Sequence, residues 1–210
     1  DCLLSRGLGD VYKRQMKRLI IFVMTFVFGV ITAQTQINKS FPATKNQNIS
    51  LKFDYPQLIK ISTWDKGEVQ VSGTVNINDD ENNDAFQIKE SKEGNALVIE
   101  GNVSGIDNLP HRITVHKGNE KLTFKTKEDY QQYCKTNGVT FNTMSNGVDI
   151  NIELEIKVPK SFKTQIEAKY GLVEVKNFGG EISVNAAYGG IDATILEKNI
   201  GKLSAETYYG

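Results

Sequence analysis

Apolar and polar residues alternate with a period of two along most of this chain. Ile49, Leu51, Phe53 and Tyr55 alternate with Ser50, Lys52 and Asp54 until Pro56 ends the run. Successive side chains of a strand point to opposite faces, so such a run predicts a strand with one buried face. Ile59 and Ile61 lead to Trp64 and the turn Asp65-Lys66-Gly67, after which Val69, Val71, Val75 and Ile77 resume the pattern. Two alternating runs about a short glycine-bearing turn predict a hairpin. Phe86 and Ile88, the turn Lys92-Glu93-Gly94-Asn95, then Leu97 and Ile99 predict another. The cleanest strand runs from Val148 through Ile150, Ile152, Leu154 and Ile156 to Val158, and Pro159 stops it. The expected fold class is all-β. One segment departs from the pattern: residues 122–147 are low in hydrophobicity, and Lys127–Lys135 predicts a short helix that stops near Asn137-Gly138. This reads as a surface insertion between strands, around residues 117–147.

The pattern has a second, longer period. Tyr-Gly occurs at Tyr170-Gly171, Tyr188-Gly189 and Tyr209-Gly210, spacings of 18 and 21 residues. Six residues before each tyrosine lie Thr164, Ile182 and Leu203; four before lie Ile166, Val184 and Ala205; two before lie Ala168, Ala186 and Thr207. After the glycine the alternation changes parity, with Val173 and Val175 in one copy, Ile191 and Ala193 in the next. One straight strand cannot change parity, so each Tyr-Gly marks a corner. The extra length of the second interval falls between Leu196 and Leu203, in a loop, while the strand positions keep their register. A period near 20 predicts a stacked solenoid whose rungs share a continuous core. Strands 164–170, 182–188 and 203–209 are then expected to pair in parallel. Ile49 to Tyr55-Pro56 fits the same template, with proline in place of glycine. The whole reads as N-terminal hairpins leading into a β-solenoid with Tyr-Gly rungs of ~18–21 residues.

The first 33 residues add an address. Met16, the basic pair Lys17-Arg18, an uncharged run of thirteen residues from Leu19 to Ile31, and Thr32-Ala33 have the layout of a signal peptide over residues 16–33. The run is shorter than the roughly 20 apolar residues of a membrane span. Residues 1–15 have no periodicity and resemble translated adapter read-through, a non-native leader. The expected mature domain is residues 34–210. Hydrophobic residues make up 39% and charged residues 24%, the mix of a folded domain. Acids and bases balance at 25 each. Removing residues 1–33 takes away five bases and two acids, leaving the remainder mildly acidic. No basic cluster points to nucleic acid, and membrane contact is expected only through the export signal. Cys2 lies in the leader, so the exported chain holds one cysteine, Cys134, and no intrachain disulfide.

Several of these segments carry a resemblance. "IKISTWDKGEVQVSG" and "NIELEIKVPKSFKTQIEAKYGLVEVKNFGGEISVNAAYGGIDATI" resemble the DUF4097 "putative adhesin" family of exported bacterial proteins, particularly those of Bacteroidetes. The carrying features are Trp64-Asp65-Lys66 with Val69 and Val71, the strand end Ile156 to Lys160, and the Tyr-Gly repeats. The resemblance covers roughly residues 37–210 apart from the insertion. It implies a β-solenoid-like fold and a location in the periplasm, at the outer-membrane surface or outside the cell. It transfers no catalytic residues. Members of the family carry further repeats, so the resemblance also implies a C-terminally truncated chain whose open last rung associates on purification.

Candidate chemistry is sparse. Tyr170, Tyr188 and Tyr209 suit an aromatic ladder for sugar rings, but their register with Ile, Val and Ala predicts packed corner residues beside a glycine that permits the turn. Residues 76–86 place Asn78, Asp80, Asn82 and Asp84 at alternate positions in outline of a calcium loop. Asn83 stands where that loop needs glycine and Lys89 where it needs glutamate, so a solvated hairpin tip is expected instead. His111 and His116 lie five apart in an extended stretch and should face opposite ways. Glu167, Glu174, Asp192 and Glu206 read as outward charges on strand faces. No catalytic, cofactor-binding or metal-binding residue is nominated. The expected function is that of an exported, non-enzymatic envelope or surface protein presenting its β-surface to a protein or glycan. The alternatives are a periplasmic structural or signalling accessory and a carbohydrate-active β-helix enzyme.

Overall fold

The computed structural model describes residues 35–194, apart from position 161, and residues 200–209. The expected leader (1–15), signal peptide (16–33) and the loop containing Leu196 lie outside the described residues. Among the described residues, no helix is long and apolar enough to cross a membrane.

The expected all-β class holds, with most of the chain in two six-stranded sheets around one core. The first sheet runs, in spatial order, β1 (Thr35–Pro42), β4 (Glu68–Ile77), β10 (Ile150–Pro159), β3 (Leu58–Trp64), β12 (Leu172–Lys176) and β14 (Gly190–Thr194). The second runs β15 (Ile200–Tyr208), β13 (Gly180–Ala187), β11 (Thr164–Lys169), β2 (Asn48–Asp54), β6 (Ala96–Val103) and β5 (Phe86–Glu93). A third, three-stranded sheet comprises β8 (Glu120–Phe124), β7 (Arg112–Lys117) and β9 (Met144–Gly147). The helix expected from Lys127 forms as α1 (Lys127–Asn137), capped by the Thr126 hydroxyl at its start and by left-handed Gly138 at its end.

The repeat strands pair in parallel and in the predicted register. Ile49, Thr164, Ile182 and Leu203 are successive partners across β2, β11, β13 and β15; Leu51, Ile166, Val184 and Ala205 form the next column. In the other sheet Leu154, Ile59, Val173 and Ile191 line up across β10, β3, β12 and β14. Each column of inward side chains packs on the next, and a buried Val, Leu or Ile contributes about 1.5–3 kcal/mol. Column size is matched locally. Phe53 is fully buried, and its partner on β6 is Gly101, where a Cβ would stand 2.5 Å from the Phe53 ring. Its other neighbour is Ala168. The two small neighbours leave the room that the large ring takes up in the layer.

Two sequence expectations fail here. β3 and β4, read as a hairpin about Asp65-Lys66-Gly67, are not paired: β10 lies between them, parallel to β3 and antiparallel to β4. Strand periodicity reports which face is buried and not which strand is adjacent, so a central strand from far along the chain was invisible to it. The Asn/Asp-rich stretch 76–86 is not a hairpin tip either, because it joins β4 in one sheet to β5 in the other. Asn78, Asp79 and Asp80 all have positive φ (54°, 58° and 68°), a left-handed crossing that Asn and Asp tolerate better than other side chains. Asn78 is completely buried. Its amide donates to Asn82 Oδ1 and to the Pro110 carbonyl, both at 2.8 Å, and its Oδ1 accepts from the Asp149 amide at 3.0 Å. That knot, with the buried Arg112 guanidinium donating to Glu81, ties the third sheet to the main body.

Candidate functional site: a tyrosine ladder beside a polar cleft

Where β2 leads to β3, β11 to β12 and β13 to β14, the chain changes sheet at a corner whose residue is a tyrosine, and Tyr209 follows β15 in the equivalent position. Tyr55, Tyr170, Tyr188 and Tyr209 have φ of 75°, 64°, 56° and 57°. The left-handed residue is thus the tyrosine itself, and it breaks the strand alternation that would otherwise turn the ring inward. The following glycine serves a different purpose from the one expected. A Cβ on Gly171 would stand 1.9 Å from the Pro56 carbonyl oxygen, and one on Gly189 would stand 1.9 Å from the Gly171 oxygen. Successive corners are packed backbone on backbone, held by Leu172 N–H to the Gln57 carbonyl (2.9 Å) and Gly190 N–H to the Gly171 carbonyl (3.2 Å). Tyrosine turns the chain; glycine lets the floors approach.

The expectation of packed, enclosed tyrosines is overturned. Tyr170 and Tyr188 are each 52% exposed, and Tyr209 is 86% exposed. The rings form one continuous stack. Centroids are 5.5 Å apart for Tyr55 and Tyr170, 5.3 Å for Tyr170 and Tyr188, and 5.2 Å for Tyr188 and Tyr209, with planes within 15° of parallel. The physical reason is the left-handed φ, which swings each ring out of the register column of Ala168, Ala186 and Thr207 and over the ring of the next floor. Burial pushes the Tyr55 phenol up from its ordinary pKa, and the neighbouring Tyr170 and Asp54 add to the effect.

The rung formed by β6 and β10 has no tyrosine corner: its two strands are joined through the third sheet and α1. That segment leaves two hollows against the ladder, both sharing Tyr55, Tyr170, Val148 and Ile150. One, about 450 Å³, is an open hollow also lined by His116, Lys121, Ser145, Asn146 and Asp149. The other, about 380 Å³, meets Ile106, Asp107 and His111. The two histidines stand in different hollows and do not converge. Lys121 and Asp149 form an ion pair, and the Thr123 hydroxyl donates to the second Asp149 oxygen at 3.3 Å.

The other candidates are dispersed. Asn78 is consumed by the buried knot, and Asp80 accepts from Asn83 Nδ2 at 2.7 Å. Of the repeat acids, Glu174 and Asp192 are register neighbours on the outer sheet face, where Lys176 donates to Glu174 at 2.7 Å and holds its carboxyl below the usual range. Glu167 accepts from Gln165 and Glu206 from the Tyr208 hydroxyl, both at 2.9 Å. The polar cleft residues Lys121 and Asp149 were not singled out in the sequence. Lys121 sits on the short strand β8 and Asp149 in the link between β9 and β10, and only the fold brings them against Tyr55.

No family model matches the chain, and no curated protein does. Among solved structures it is loosely similar to a "putative cell adhesion protein" from Clostridium sporogenes, at 12% identity and TM-score 0.38, over 77% of this chain and 67% of that one. It is also loosely similar to a "putative adhesin" from Bacteroides fragilis, at 11% identity and TM-score 0.30, over 84% and 78% of the two chains. Likeness at this level decides neither fold nor function.

Proposed function

We infer that this is an exported, non-enzymatic binding protein of adhesin type, whose parallel rungs build a β-solenoid and whose tyrosine ladder receives a linear glycan at the cell envelope or surface. The single observation that carries the reading is the aligned stack of four tyrosines, three of them exposed. Interior rings are covered on both faces by their neighbours, so they offer solvent mainly their rims and hydroxyls, repeated every 5.2–5.5 Å. A row of apolar edges with regularly spaced donor–acceptor hydroxyls suits a chain of sugar units, which alternate C–H and O–H groups along their length. A flat aromatic ligand would need an open ring face instead. Export rests on the layout of residues 16–33, and the solenoid on the in-register parallel columns.

The test is binding of the purified chain to immobilised neutral polysaccharides, compared with a Tyr170→Ala/Tyr188→Ala variant. Loss of two contact rings should weaken binding at least tenfold, the effect of about 1.4 kcal/mol. Equal binding by a folded variant would refute the ladder as the receptor surface. Saturable binding to envelope proteins with no polysaccharide affinity would favour the accessory role.

A further inference from the structure

The hollow between the ladder and the third sheet has two unlike walls. Tyr55, Tyr170, Val148 and Ile150 make one side; His116, Lys121, Asp149, Ser145 and Asn146 make the other. Val148 and Ile150 are half-buried against the core, so the apolar side is firmly backed. On the polar side the charges cancel, because Lys121 is paired with Asp149. Asp149 is itself fixed at both ends of its backbone unit: its backbone N–H donates to Asn78 Oδ1 at 3.0 Å and its carbonyl accepts from the Asn78 backbone N–H at 2.8 Å. The cleft therefore holds a positioned acceptor and a positioned donor next to each other, with hydroxyl and amide groups around them.

We propose that this cleft is a subsite for one neutral pyranose unit, which fixes the register of the glycan on the ladder. This rests on the ladder reading. A pyranose has a C–H face, which matches the tyrosine and aliphatic wall, and a rim of hydroxyls. A vicinal diol can donate to the Asp149 carboxylate while accepting from the Lys121 ammonium, replacing their mutual contact with two charge-assisted hydrogen bonds. The volume of about 450 Å³ falls in the range of small-ligand sites. An anionic sugar or nucleotide fits less well, because the lysine facing the cleft is already neutralised. The edge of β9 also borders the hollow, so an extended peptide is the competing occupant.

The experiment is an amide NMR titration of the whole chain with cellotetraose, laminaritetraose, chitotetraose, mannotetraose, tetragalacturonate and a soluble peptide of alternating threonine and valine. At least one neutral tetrasaccharide should shift the amides of Lys121, Gly147 and Asp149. A His116→Ala/Lys121→Met variant, altered at exposed positions, should then bind it about tenfold more weakly with an unchanged melting temperature. Tyr188→Ala, outside the cleft, should also weaken it. If Tyr188→Ala weakens binding and the cleft variant does not, the subsite is wrong and the ladder reading survives. Shifts with no tetrasaccharide, with tetragalacturonate alone, or with the peptide alone would each overturn the proposal.

Discussion

At Tyr55, Tyr170, Tyr188 and Tyr209 a bulky aromatic residue occupies a backbone region that costs an L-residue about 1–2 kcal/mol. Tyr188 (φ 56°) is held there by its ring stacks on Tyr170 and Tyr209 and by its amide donating to the Tyr208 carbonyl at 2.7 Å. Backbone strain and ring stacking can be separated by substitution. Tyr188→Ala removes both stacks and keeps the left-handed penalty; Tyr188→Gly removes the stacks and the penalty together. The glycine variant should be the more stable of the two by about 1 kcal/mol in urea denaturation, against the usual order for a strand-rich position. An alanine variant equal to or better than glycine would show that the positive φ carries no cost. The neighbouring glycine makes the complementary case. Gly189→Ala drives a Cβ into the Gly171 oxygen and should cost about 1–3 kcal/mol, while Gly67→Ala, with open space around it, should stay within about 0.5 kcal/mol of the parent. Matching melts for the two would mean that the corners are not closely packed.

Between elements, the decisive contact is the tie from the β4–β5 crossing to the third sheet. Glu81 receives Arg112 and Lys125, and the Lys125 hydrogen bond, with the charges of both bases, holds its carboxyl below the ordinary glutamate range. A carboxyl whose folded pKa is lowered stabilises the fold fully above its unfolded pKa, and that contribution is lost as pH falls through the folded value. Buried Arg112 would then lose its anionic partner. Hydrogen-exchange protection of β7 and β8 should therefore fall, relative to β2 and β11, between about pH 6 and about pH 3. Glu81→Gln should remove the pH dependence, and salt should flatten it because Glu81 is partly exposed. A pH-independent protection ratio in the parent chain would mean that this ion pair does not anchor the sheet. This element also marks the limit of what could be read in advance. Ile49, Ile166 and Val184 announced their column by period alone, since burial repeats with the strand. Asn78 did not, because a buried polar residue satisfied by Pro110 and Asp149 looks in the sequence like any solvated turn residue. β10 was recognised as a strand, yet its place between β3 and β4 depends on long-range pairing that alternation does not encode.

At the largest scale, β2, β11, β13 and β15 lie side by side in one parallel register, each strand paired to the next. The tyrosine ladder was legible as a repeat but not as a surface, since the same residue spacing serves an inward or an outward ring and only the sign of φ separates them. That array also sets how stability is distributed. In a stacked system each rung draws its support from its neighbours, so protection should decline from the middle of the stack toward a rung with neighbours on one side only. β2 and β11 are paired on both edges, and Leu51 and Ile166 are fully buried. β13 is paired on both edges as well, with Val184 buried. At β15 the equivalent residues are exposed, Leu203 at 42%, although they occupy the same columns. Lost burial of one such side chain amounts to about 1–2 kcal/mol, so several per rung separate the local opening energies well beyond measurement error. Native-state hydrogen exchange on the 210-residue chain should thus rank protection as β2 and β11 above β13, and β13 above β15. One uniform opening energy across β2, β11, β13 and β15 would instead mean that the rungs fold as a single cooperative unit, and that the column contacts do not act between nearest neighbours alone.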